Sequence, residues 1–203
     1  MTTPITTTTK QDVLAAAKHS LIESGYSQLS TRRIAETAGV PLSQIHYHFG
    51  SKQNLVLGVL AEENRLLLER QAEMYADDLP LWKQWEQACD YLDDDLESGY
   101  VRVLQEMMAA GWSDPAIATA VRALLQGWFT LLRSVATTAM DRLGNTGTLD
   151  PDHVAIWVGT TFLGAESMIL LGFEDAATRQ ALRSMAGIIR SMEERADGES
   201  STP

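Results

Sequence analysis

The chain has 203 residues, a hydrophobic content of 45% and a formal net charge of -11. That length supports one or two compact domains with a substantial core, and the apolar fraction is that of an ordinary globular protein. A single cysteine, Cys89, excludes an internal disulfide framework and a multi-cysteine zinc site; no uninterrupted apolar run nears the roughly 20 residues of a membrane span, and the opening MTTPITTTTK is no signal peptide, so a cytoplasmic protein with no membrane partner is expected.

Helical periodicity runs through nearly the whole chain, and strand-type alternation is missing. The threonine run at 6–9 is polar and terminal, so residues 1–9 read as a disordered arm. Lys10 to Ser24 forms the first helix, with Leu14, Ala17 and Leu21 on one face and Gly25 as its left-handed stop. Ser30 is an N-cap for Thr31 to Ala38, and Gly39 ends that helix. Leu42 to Phe49 is a short third helix, and Ser51 caps a fourth from Lys52 to about Met74. Trp82, Trp85, Cys89, Leu92 and Leu96 make the next apolar stripe, and Gly99 divides it from Tyr100 to Ala110. Asp114 and Pro115 start a long helix to about Leu143, followed by the loop GNTGTLDP. His153 to Leu171 and Ala176 to Arg195 are the last two helices, and residues 197–203 are a polar tail.

Charge is uneven. Residues 1–52 carry five cations against three acids, whereas residues 53–203 carry eleven against twenty-four. A weakly basic head on an acidic body suits a polyanion partner for the head alone. On the third helix, at about 100° per residue, Leu42, Ile45 and Phe49 share one face. Tyr47 lies nearly opposite, flanked by Ser43 and Gln44; His48 is on the flank and His46 near the edge of the buried face. Arg32, Arg33 and Lys52 surround this uncharged polar surface. Cations and helix starts hold phosphates, while polar side chains read base edges in the major groove. Two short helices joined by AGVP therefore suit a helix-turn-helix, although a plain helical hairpin with a polar outer face has the same pattern.

The stretch STRRIAETAGVPLSQIHYHFGSKQNLV resembles the DNA-binding segment of the TetR family of transcriptional regulators. The marks are T-x-x-I-A-x-x-A-G-V, then HYHF closing the recognition helix, then GSK opening the next; the resemblance covers about residues 10–60. It implies an all-α fold. A three-helix, helix-turn-helix DNA-binding domain at 10–52 would precede a helical effector-binding and dimerisation domain at 53–196. By the same resemblance Thr31 and Lys52 contact phosphates, and Arg32, with Arg33 beside it, reaches a base or phosphate. Ser43, Gln44, His46, Tyr47 and His48 occupy recognition-helix positions. Two residues depart from the pattern. Pro41 replaces a Ser-like N-cap and removes the capping oxygen, and His46 stands where Tyr is common.

The implied function is a ligand-responsive repressor that binds a (pseudo)palindromic double-stranded DNA operator as a homodimer. In the body, Trp85, Leu104, Met107, Met108, Trp112, Trp128 and Phe162 offer apolar surface for a small-molecule effector. Gln126, His153 and Glu166 could orient it, Glu166 being the residue least suited to a core. The small and apolar residues of the last two helices suit a dimer, and Asp93-Asp94-Asp95 reads as a solvated acidic face. A dimer governed by a partner protein, without a small-molecule effector, is the alternative. An enzyme is not expected: there is no Gly-rich phosphate loop and no HExxH. The two histidines of HYH point about 160° apart on a helix and make a poor metal pair. No cofactor and no metal are expected.

Overall fold

The structure is a computed structural model that describes residues 6–144 and 149–200, with the backbone alone at 6–9 and 199–200. It is all-α, and no strand occurs among the described residues. The helices are α1 (Thr6–Gln28), α2 (Thr31–Thr37), α3 (Leu42–Phe49), α4 (Lys52–Ala76) and α5 (Leu81–Glu97), then α6 (Tyr100–Gly111), α7 (Pro115–Arg142), α8 (Pro151–Leu170) and α9 (Asp175–Ser200).

Most boundaries follow the sequence signals, and three differences have physical causes. Residues 6–9, expected in a disordered arm, extend α1; threonine is only a modest helix former but is tolerated at an end. Gly25 does not stop α1 but kinks it, with φ 72° and ψ 172°. The chain resumes helix to Gln28 because the freed Tyr26 N–H finds the Glu106 carboxylate at 2.7 Å. Residues 197–200, expected in the polar tail, continue α9. The rest of the arm (1–5), the rest of the tail (201–203) and residues 145–148 of the loop lie outside the described residues.

The chain divides into two compact units, Met1–Leu66 with Glu97–Leu124, and Leu67–Leu96 with Leu125–Pro203. This differs from a division at residue 53, because α6 and the start of α7 join the N-terminal helices.

In the first unit, Val13, Ala17, Leu21, Ile34, Leu55 and Met107 are fully buried. They come from α1, α2, α4 and α6, and α1 packs on both α2 and α6. Gly99 (φ 76°) must be glycine for packing as well as for its turn, since a Cβ there would lie 2.7 Å from Ile22.

In the second unit, Leu132 and Ala136 of α7 and Ala155 of α8 are buried, with Trp128, Phe129, Val154 and Val158 packed around them. Gly159 lets α8 approach α7 closely. The Glu193 carboxylate accepts from the Leu81 and Trp82 N–H groups at 2.7 and 3.2 Å, so α9 supplies the N-terminal cap of α5. The acidic run is not a free solvated face. Asp93 pairs with Arg179 and with Arg183, and Asp95 pairs with Arg70 at 2.8 Å. Asp94 alone of the three is exposed.

No uninterrupted apolar run is long, yet α7 and α8 are long and apolar enough on average to cross a membrane by length and composition alone. Core helices of water-borne proteins pass the same test, so this is weak support for a membrane partner.

Candidate nucleic-acid interface and effector cavity

The interface is built from α2, the turn after it, and α3. Ser30 is extended, and its hydroxyl accepts from the Arg33 N–H at 3.4 Å, a long capping bond. Ile34 and Ala35 bury the inner face of α2, and this leaves Arg32 and Arg33 exposed and Thr31 half-buried at the helix start. Gly39 (φ 66°) makes the turn in the left-handed region. Pro41 opens α3 with no side-chain cap, and its carbonyl accepts from the Gln44 N–H at 2.9 Å. Ile45 and Phe49 anchor α3 in the core.

Those two anchors dictate what α3 presents. Tyr47 is 78% exposed, Ser43 and His46 are exposed, and Gln44 is half-buried. His46 is therefore turned outward rather than toward the core edge. His48 differs from expectation in the other direction. Its Nε2 is buried without a hydrogen-bond partner among the described residues, and its ring is edge-on to Tyr47 at 5.1 Å and to Phe49 at 6.3 Å. It supports Tyr47 more than it offers a free nitrogen.

Lys52 starts α4 beside this surface. Its ammonium lies 4.8 Å from the centroid of the Tyr26 ring and donates to the Ser27 carbonyl at 3.4 Å. Ser51 caps α4 by accepting from the Asn54 N–H at 3.0 Å. The result is an uncharged hydrogen-bonding ridge with Arg32, Arg33 and Lys52 around it.

Residues 13–59 match the profile of bacterial regulatory proteins of the tetR family. The resemblance to the TetR family holds over that segment. The chain is similar to the HTH-type transcriptional repressor AcnR of Corynebacterium glutamicum, 33% identical over 63 residues, which is 31% of this chain and 34% of that protein. AcnR of Corynebacterium diphtheriae is 34% identical over 64 residues, 32% of this chain and 34% of that protein. The match thus spans about a third of these relatives' length. Over the whole fold the chain is similar to the regulator FadR from Bacillus subtilis in complex with stearoyl-CoA. The TM-score is 0.72 at 15% identity, covering 87% of this chain and 96% of that one. FadR from Bacillus halodurans gives a TM-score of 0.74 at 13% identity, covering 92% and 96%. At such identity the likeness is one of fold alone.

The second unit holds a cavity of about 690 Å³. It lies among the C-terminal end of α4, α5, the C-terminal half of α7, α8 and α9, and its walls include Trp85, Leu132, Met140 and Leu182. Of the residues expected to meet an effector, Trp85 alone lines it. The Trp85 indole N–H is already spent on the Leu182 carbonyl at 2.7 Å, so the ring offers only its faces and edge. Phe162 packs behind it, edge-on at 5.5 Å. Trp128 donates to Gln71 at 3.0 Å, and Glu166 is buried on α8. Leu104 and Met107 are core residues of the first unit, Met108 is half-buried beside them in α6, and Trp112 is 86% exposed. Gln126 and His153 are both exposed. None of these lines this cavity.

Sequence reasoning missed Tyr75 and Gln84, which do line it. Both are polar residues in amphipathic helices, where nothing in the sequence separates a cavity wall from a solvent face.

Proposed function

We propose that the protein is a cytoplasmic transcriptional repressor, not an enzyme, that binds a (pseudo)palindromic operator as a homodimer and is released by a small molecule. The observation that carries the DNA reading is the outward face of α3: Ser43, Gln44, His46 and Tyr47 stand exposed or half-exposed on a helix pinned by Ile45 and Phe49. Gln44 has the two-atom fork that pairs with adenine, and the Tyr47 ring suits a thymine methyl. Thr31 and Lys52, at helix starts, hold phosphates, Arg32 and Arg33 reach phosphate or base, and His48 backs Tyr47.

Two recognition helices must meet half-sites about 34–36 Å apart, or multiples of that spacing, which requires two copies. The apolar residues left exposed on and after α8 and on α9, among them Ile156, Leu171, Phe173 and Ile188, suit burial against a second copy. Effector control is supported by the cavity. It is also supported by solved relatives of the fold, B. subtilis FadR with stearoyl-CoA and a regulator from Saccharomonospora viridis with choline.

Selection of bound duplexes from a random pool tests this reading. A two-fold symmetric motif is expected, and a pool with no enrichment would defeat it.

A further inference from the structure

The cavity of the second unit has an unusual wall. No charged residue lines it. Its few polar groups are Tyr75, Gln84, Thr161 and Thr178. The Gln84 amide already donates to the Asp77 carbonyl at 3.1 Å. The Tyr75 hydroxyl has no hydrogen-bond partner among the described residues. Burial pushes its pKa well above the ordinary phenol value, the Cys89 thiol adding to the shift, so it stays a neutral donor at any physiological pH. Leu149, Trp157 and Met185 are on the wall yet more than a third exposed, and they form the mouth. Several walls are methionine, including Met140, Met168 and Met192, whose unbranched thioethers adapt to a ligand's outline.

We propose that this cavity takes an uncharged, mainly apolar small molecule with one hydrogen-bond acceptor, anchored by the Tyr75 hydroxyl. The proposal rests on the effector-responsive reading and narrows it. A carboxylate, a phosphate or a quaternary ammonium would lose its water with no opposite charge on the wall to replace it. A neutral acceptor such as a hydroxyl, carbonyl or ether loses little water and satisfies the idle phenol donor. Apolar area supplies the remaining affinity. A volume of about 690 Å³ is in the middle of the range for small-molecule sites, so the ligand need not extend into solvent.

Calorimetric titration with three ligands that share a flexible ten-carbon chain tests the proposal: 1-decanol, decanoate and decyltrimethylammonium, all below micelle formation at pH 7. The chain can follow any cavity outline, so the headgroup decides. Decanol is expected to bind at least about tenfold more tightly than either ion. Tyr75→Phe should weaken decanol by about 3–10-fold and leave the melting temperature within a few degrees. Ala139→Trp, which fills the wall from α7, should abolish binding. Equal or tighter binding of either ion overturns the class. Unchanged decanol affinity in Tyr75→Phe overturns the anchor, and binding that survives Ala139→Trp, or no binding of any of the three, overturns the site. Operator affinity measured with and without saturating decanol separates the two ideas. Decanol that binds as expected yet leaves operator affinity unchanged defeats effector control and leaves the ligand class standing.

Discussion

The Lys52 ammonium sits 4.8 Å over the Tyr26 ring, and the Tyr26 backbone N–H is held by the Glu106 carboxylate at 2.7 Å. The cation proposed to hold a phosphate is thus positioned by an aromatic ring, whose backbone is itself tied to α6. Glu106 is also paired with Arg102 at 3.2 Å, and Arg102 donates to the Ile22 carbonyl at 3.3 Å.

Lys52→Ala is expected to weaken binding to operator and random DNA alike and to lower the salt slope by about one unit. Tyr26→Leu removes the ring but not the charge. It should weaken both DNAs by about 2–5-fold, as one exposed cation–π contact is worth about 0.5–1 kcal/mol. The base preference should not change. Filter binding across a salt series reads both effects, and altered base preference in either variant would contradict a phosphate role.

Gln44→Ala and Tyr47→Ala should instead relax base preference. Loss of a bidentate base contact costs about 1–3 kcal/mol of discrimination. Tyr47 is so exposed that its removal should shift stability by less than about 0.5 kcal/mol. Competition between the selected operator and single-base variants measures the first, and thermal melting the second.

Ile188→Glu places a charge in the exposed apolar stripe of α9. Sedimentation should show a monomer at micromolar concentration, with operator binding reduced at least about a hundredfold while single half-site binding persists. A stable dimer in this variant would move the interface elsewhere.

Two glycines of α8 should behave oppositely. A Cβ at Gly159 would lie 2.5 Å from the Phe129 ring, so Gly159→Ala should destabilise by about 1–3 kcal/mol. A Cβ at Gly164 would have no neighbour within 4 Å among the described residues, and Gly164→Ala should be neutral or stabilise by up to about 1 kcal/mol. Denaturant titration of the pair checks the sign of each.

Burial pushes the Cys89 thiol up to about 11 from its ordinary 9.0. The folded protein should resist alkylation at pH 8 and react only on unfolding. The unfolded chain loses this proton first, so it binds fewer protons than the folded state between about pH 9 and 11, and stability should fall as pH rises through that window. A Cys89→Ala variant melted across the same window should lose that part of the slope.

The helices were legible in the sequence because their signals are local. Ser30, Gly39, Pro41 and Ser51 mark helix ends by their own backbone chemistry, and Ile45 and Phe49 set which way α3 faces through a 3.6-residue period. The outward placement of Tyr47 and Ser43 followed from that period alone. The cavity did not, because its wall is assembled from α4, α5, α7, α8 and α9, far apart in sequence. An apolar helix face looks the same whether it meets another side chain or an empty space, and so Leu104, Met107, Trp128 and Phe162 could not be told from Leu132 and Met140 beforehand. The acidic run was misread for the same reason: the partners of Asp93 are Arg179 and Arg183, nearly ninety residues away. Local chemistry determined where the helices start, stop and face. Tertiary contacts alone decided which polar group, Tyr75, would be left idle against a void.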